Sequence, residues 1–148
     1  MRDLISVHEY NEGILIEDTD LTYNALRTIH PPLKNCFTLN FISEGNKICF
    51  FGDTAYLPSL AKFSEGAKIL VHEAMLQKVI NYITAKSSNT DDRLYKHFVG
   101  SHTFARDVSR IANDAGVDLL VLKHLLPAER EVAQEEDWIK EVQHHFPF

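Results

Sequence analysis

The first fifty residues are patterned as short apolar runs separated by turn formers. Leu4-Ile5-Ser6-Val7 is followed by Asn11-Glu12-Gly13, a turn signal, and then by Ile14-Leu15-Ile16. Asp18-Thr19-Asp20 makes another turn before residues 21–29, where polar and apolar positions loosely alternate. His30-Pro31-Pro32 ends that strand, because neither proline can donate to a ladder. Phe37, Leu39 and Phe41 alternate with Thr38 and Asn40, the period of a half-buried strand. Ser43-Glu44-Gly45-Asn46 reads as a hairpin connection into an apolar run that stops at Gly52-Asp53-Thr54. The prediction for this part is a sheet of short antiparallel neighbours.

Beyond Asp53 the period changes. Pro58 suits a first helical turn, and Leu60, Ala61 and Phe63 predict a short helix that Gly66 caps. Ile69-Leu70-Val71 reads as a buried strand ending at His72-Glu73, and Leu76, Val79, Ile80 and Ile83 fall on one helical face. Residues 85–93 are polar and read as a loop. A helix starts after Ser101 or His102, with Phe104, Val108, Ile111, Ala112 and Ala115 as its stripe and Gly116 as its stop. Residues 117–122 form the next strand, ending at Lys123-His124, and Pro127 breaks the chain. Trp138, Ile139, Val142 and Phe146 make the buried stripe of a last helix.

Composition narrows the class. A chain of 148 residues is long enough to bury a core as one domain, and no run approaches the ~18 apolar residues of a membrane span. Met1-Arg2-Asp3-Leu4 lacks the apolar core of a signal peptide, and Cys36 and Cys49 are isolated in strand-like runs. Both observations predict a cytoplasmic protein with reduced thiols. A net charge of −6 gives no basic surface for nucleic acid, although a metal can supply positive charge to a phosphate ester.

Candidate chemistry gathers at the strand ends. Strands alternating with helices tend to be parallel, so Asp53, His72-Glu73 and His124 are expected on one sheet edge, with His102 at a helix start facing it. Carboxylate and imidazole are the ligands of catalytic zinc, manganese or iron, and a metal-activated water makes hydrolysis the expected reaction class. Each residue also has a plainer reading. Glu73 can complement a helix dipole, His102 can cap, and a single histidine such as His124 can be a satisfied core or surface group.

Phe51-Gly52-Asp53-Thr54, Leu70-Val71-His72-Glu73-Ala74-Met75, Ser101-His102-Thr103 and Leu120-Val121-Leu122-Lys123-His124 with Pro127 resemble the second half of a metallo-β-lactamase-fold hydrolase. The similarity is to the ribonuclease Z and arylsulfatase-like branch. It implies an α/β (α+β) class: half of an αββα sandwich, a mixed sheet covered by helices, with residues 1–148 forming a single partial domain. It implies two divalent metal ions, zinc or alternatively manganese or iron, with Asp53 as bridging ligand and His124 as a ligand. His102 is implied as the acid that protonates the leaving oxygen, Glu73 as the group that orients it, and His30 as a residue touching substrate. His72 is implied to be structural.

The family's His-x-His-x-Asp-His string does not occur in the sequence, and no closing strand follows the last helix, so the metal site is expected to be incomplete in this chain. The expected partners are a small ester or phosphodiester substrate and, through an uncovered sheet face, either self-association or a complementary N-terminal half. Two other readings stand beside the hydrolase. One is a non-catalytic half-domain, a remnant or an interaction module. The other is a small α/β binding domain with His30, His72 and His124 lining a pocket.

Overall fold

The computed structural model describes residues 8–86, 92–127 and 132–147. Six strands form one sheet in chain order: β1 (Gly13–Glu17), β2 (Thr22–His30), β3 (Leu33–Ser43), β4 (Asn46–Phe50), β5 (Ile69–Met75) and β6 (Leu119–Leu126). The first four pair antiparallel, as hairpin spacing predicts, and β4, β5 and β6 pair parallel. Helices lie in the parallel crossovers. α1 (Ser59–Phe63) joins β4 to β5, and α2 (Gln77–Lys86), α3 (Arg93–Ser101) and α4 (Ala105–Ala115) lie between β5 and β6. α5 (Glu135–Val142) follows β6. The sheet is therefore mixed, and the class is α/β.

Helices cover one face. Cys49, Leu70 and the half-buried Leu120, on neighbouring strands, pack with Leu60, Ile111, Ala112 and Ala115 from α1 and α4. Ala74 packs with Val79, Val108 and Trp138 from α2, α4 and α5. The stripe read on α4 is buried at Val108, Ile111, Ala112 and Ala115, and Gly116 stops the helix at φ 62, where an L side chain would be strained.

The other face is also apolar. Register places Tyr23, Phe41, Ile48, Ile69 and Leu119 in one row across five strands, with Leu39, Phe50, Val71 and Val121 in the next. Leu119 is 51% exposed, Phe50 47% and Val121 39%. None of these residues belongs to either core cluster.

The structure corrects several expectations. β5 runs to Met75 and β6 to Leu126, so His72, Glu73, Lys123 and His124 lie within strands rather than at their ends. Polarity misleads there because the β5–β6 ladder continues beneath these side chains. α1 ends at a Ser64 cap, whose Oγ donates to the Leu60 carbonyl at 2.7 Å, and Gly66 occupies the following turn instead. Residues 93–101 form α3, a helix outside the elements expected above, with Leu94, Tyr95 and Phe98 half-buried on one side. The strand read at residues 4–7 and most of the loop read at 85–93 lie outside the described residues. Both cysteines are free, and Cys49 is buried in the core.

Candidate active site

The site grows from the turn after β4. Thr54 is fully buried, and its Oγ1 donates to the Ala55 carbonyl at 2.9 Å and accepts from the Ile29 amide at 3.3 Å. The Ala55 amide donates to the Ile29 carbonyl at 2.8 Å. These bonds stitch the Asp53 turn to the end of β2, which carries His30. Asp53 stays partly exposed on the rim.

His124 reaches the same rim through a defect in the ladder. The β5–β6 register shifts between Glu73 and Ala74, so Glu73 pairs with Lys123 and Ala74 with Leu125, leaving His124 as the extra residue. Its φ is 42, a left-handed conformation that a non-glycine residue adopts at a cost of about 1 kcal/mol. Bulges of this kind re-aim side chains. Here the imidazole Nδ1 donates to Asp53 Oδ1 at 2.6 Å.

His30 and His102 close the group. His30 Nδ1 donates to the Ser101 carbonyl at 2.8 Å. In the neutral ring that bond places the proton on Nδ1, which leaves Nε2 able to coordinate a cation. His102 follows α3 in extended conformation, φ −136 and ψ 162, with its amide on the Phe98 carbonyl. The His102 ring lies edge-on to His30 at 5.2 Å and to His124 at 5.9 Å.

Glu73 and His72 face opposite ways from β5, and both are fully buried. Glu73 Oε1 accepts from the Thr103 amide at 2.6 Å. Oε2 stands 3.5 Å from His102 Nδ1, short of a hydrogen bond, and neither atom has another partner. Burial pushes the Glu73 carboxyl up, while His102 and the Thr103 amide pull it back. His72 Nδ1 donates to the Glu73 carbonyl at 2.7 Å, and its ring packs against Phe51 with centroids 5.1 Å apart. Burial pushes its pKa down to about 4, so the ring is neutral near pH 7. Its Nε2 is buried without a partner.

The donor set fits a divalent cation. One ligand-capable atom each from His30, Asp53 and His102 lies within 4.8 Å of the others. Ligands on a tetrahedral metal at about 2.1 Å sit about 3.4 Å apart, so a small inward movement would bring these three into coordination. His30 and His102 stand with Asp53 as possible ligands, and His124 bonds to Asp53 directly. His144 and His145 lie beyond α5, apart from the cluster. Ser101 and Thr103 flank His102 in the motif, but their contacts to His30 and Glu73 span 71 and 30 residues of chain and leave no local signal.

No protein-family model matches the chain. A ribonuclease Z from Mycobacterium bovis is 30% identical over 134 residues, which is 90% of this chain and 45% of that protein. The chain thus spans about half the length of the curated relatives it matches. Among solved structures, the metallo-beta-lactamase fold protein YhfI from Bacillus subtilis superposes with a TM-score of 0.64 at 23% identity, covering 88% of this chain and 46% of that one. The short form of human tRNase Z superposes with a TM-score of 0.56 at 22% identity, covering 76% and 38%. The chain thus has the metallo-β-lactamase fold and is similar in sequence to about half of ribonuclease Z.

Proposed function

We propose that this chain carries half of a metal-dependent hydrolase centre acting on a phosphodiester or similar ester. The observation supporting this most directly is the convergence of His30, Asp53 and His102 on one rim, drawn from three separate parts of the chain. His30 and Asp53 would hold a divalent ion, with His124 orienting Asp53 or joining as a further ligand. A bound ion lowers the pKa of its water and so supplies the nucleophile at neutral pH. His102 has two possible tasks on this reading, as a ligand or as the acid that protonates the leaving oxygen. The buried Glu73 beside it favours the second, because its Oε2, 3.5 Å from Nδ1 and without another partner, is placed to orient the ring.

The uncovered sheet face borders this rim, and a second polypeptide layer packed there would complete both core and site. That layer is either a second copy or a complementary half. The ribonuclease Z relatives make RNA one candidate phosphodiester, but a net charge of −6 leaves this chain to rely on the metal or on that layer for phosphate attraction. Among the described residues no helix is long and apolar enough to cross a membrane.

Titration of the chain with Zn²⁺ or Mn²⁺, and an assay on bis(p-nitrophenyl) phosphate with and without a complementing half, test this reading. Weak binding that Asp53→Ala abolishes, with turnover only on complementation, is the expected outcome. Wild-type metal affinity in Asp53→Ala would overturn it. A second reading is a non-catalytic half-domain, favoured by the direct His124–Asp53 bond that occupies a carboxylate oxygen, and complementation without turnover would support it.

A further inference from the structure

Thr103 is 1% exposed and makes three bonds to two other parts of the site. Its amide donates to Glu73 Oε1 at 2.6 Å, and its carbonyl accepts from the Met75 amide at 2.9 Å, which docks the segment on the end of β5. Its hydroxyl donates to the Thr54 carbonyl at 2.7 Å, across 49 residues of chain. Thr54 is the residue after Asp53, and Thr103 is the residue after His102. The hydroxyl is therefore a direct link between the turn presenting the carboxylate and the segment presenting the imidazole. Ser101, two residues earlier, holds His30 through its carbonyl.

We infer that Thr103 is a positioning residue whose side-chain hydroxyl locks the Asp53 turn to the His102 segment, so that the ligand-capable atoms of His30, Asp53 and His102 are held in one arrangement. A threonine suits this place for two reasons. Its β-branch restricts χ1, so the hydroxyl is aimed before any contact forms. Its donor satisfies a carbonyl that would otherwise be buried without a partner. The amide bond to Oε1 also decides which Glu73 oxygen is left to face His102. This inference rests on the metal-site reading above only where metal affinity is concerned.

The test compares Thr103→Val, which keeps the shape and loses the donor, with Thr103→Ser, which keeps the donor. Ser109→Ala is the control, because Ser109 is a buried hydroxyl donor on α4 whose partner, the Arg106 carbonyl, lies within the same helix. Two readouts are used on the whole chain: amide hydrogen exchange without metal, and Co²⁺ affinity by titration. In Thr103→Val the Ala55 amide is expected to lose at least tenfold protection, and Co²⁺ affinity to fall at least tenfold. Thr103→Ser and Ser109→Ala are expected to stay within about threefold of wild type at both. An exchange change confined to residues 101–104, or equal effects of valine and serine, overturns the inference. If wild type binds no Co²⁺, the metal reading fails and the Ala55 exchange alone decides the positioning role. If Thr103→Val does not fold, loss of Ala55 protection in Thr103→Ser still overturns it.

Discussion

On β5, Leu70 and Val71 point to opposite faces of the sheet and meet different surroundings. Leu70 is fully buried against Leu60, Ile111 and Ala112 from two helices. Val71 is only partly buried, in a row with Phe50 and Val121, both more than a third exposed. Both faces are apolar, so hydrophobicity alone does not distinguish them. What differs is the layer above. The covered face has its helices in the same stretch of chain, because each parallel crossover brings one back across the sheet. The open face has no such source among the described residues. The two faces also differ at the sheet end: His72 and Phe51 pack together in the covered side, while the rim stays accessible at Asp53 and His124.

The largest break in this comparison should come from Leu70→Ala. Removing a packed leucine from the covered face is expected to cost about 3 kcal/mol in urea or guanidinium unfolding. Phe50→Ser, on the open face, removes a larger side chain and should cost under about 1 kcal/mol while improving solubility. Similar losses for the two would mean that the open face is already covered in solution.

A second effect probes the covered face by pH. His72 has a folded pKa of about 4 against an ordinary 6.5, so the unfolded chain binds the extra proton between those values. Its contribution is complete above pH 6.5 and is lost as pH falls to about 4, for a total of about 3 kcal/mol. Glu73 works in the opposite sense, since its raised pKa favours the folded state at low pH and that gain is lost as pH rises. Comparing wild type with His72→Phe cancels the Glu73 contribution. The difference in unfolding free energy should move by about 3 kcal/mol in favour of the variant from pH 6.5 to 4, and a pH-independent difference would refute the buried neutral histidine.

The smallest effect concerns the rim. Glycine accepts φ 42 without strain, so His124→Gly should be more stable than His124→Ala by about 1 kcal/mol, although both lose the imidazole. Equal stabilities would show that the bulge relaxes once the bond to Asp53 is gone.

Much of this was legible along the chain. Alternation at Phe37, Leu39 and Phe41 predicted β3, and the stripe from Val108 to Ala115 predicted the buried side of α4. Gly52-Asp53-Thr54 after an apolar run marked the rim, since an abrupt change from apolar to polar positions is local information. His72 and Glu73 were harder. Their polarity suggested a strand end, but each has its hydrogen bond inside the fold and the strand continues. α3 carries Leu94, Tyr95 and Phe98 on one side, a stripe legible in the sequence, but what its last turn does for His30 and His102 is not.

By itself, the sequence determined β2 to β6 and four of the five helices, the change from an antiparallel to a parallel arrangement, and which residue types can bind metal or move protons. These follow from periodicity, turn chemistry and side-chain chemistry, all of which act over a few residues. Only the tertiary structure decided that His30 stands with Asp53 and His102, that a bulge turns His124 onto Asp53, and that Thr103 ties two of these segments together. Those contacts join residues 30 to 71 positions apart, and their geometry is set by sheet register and packing rather than by local preference.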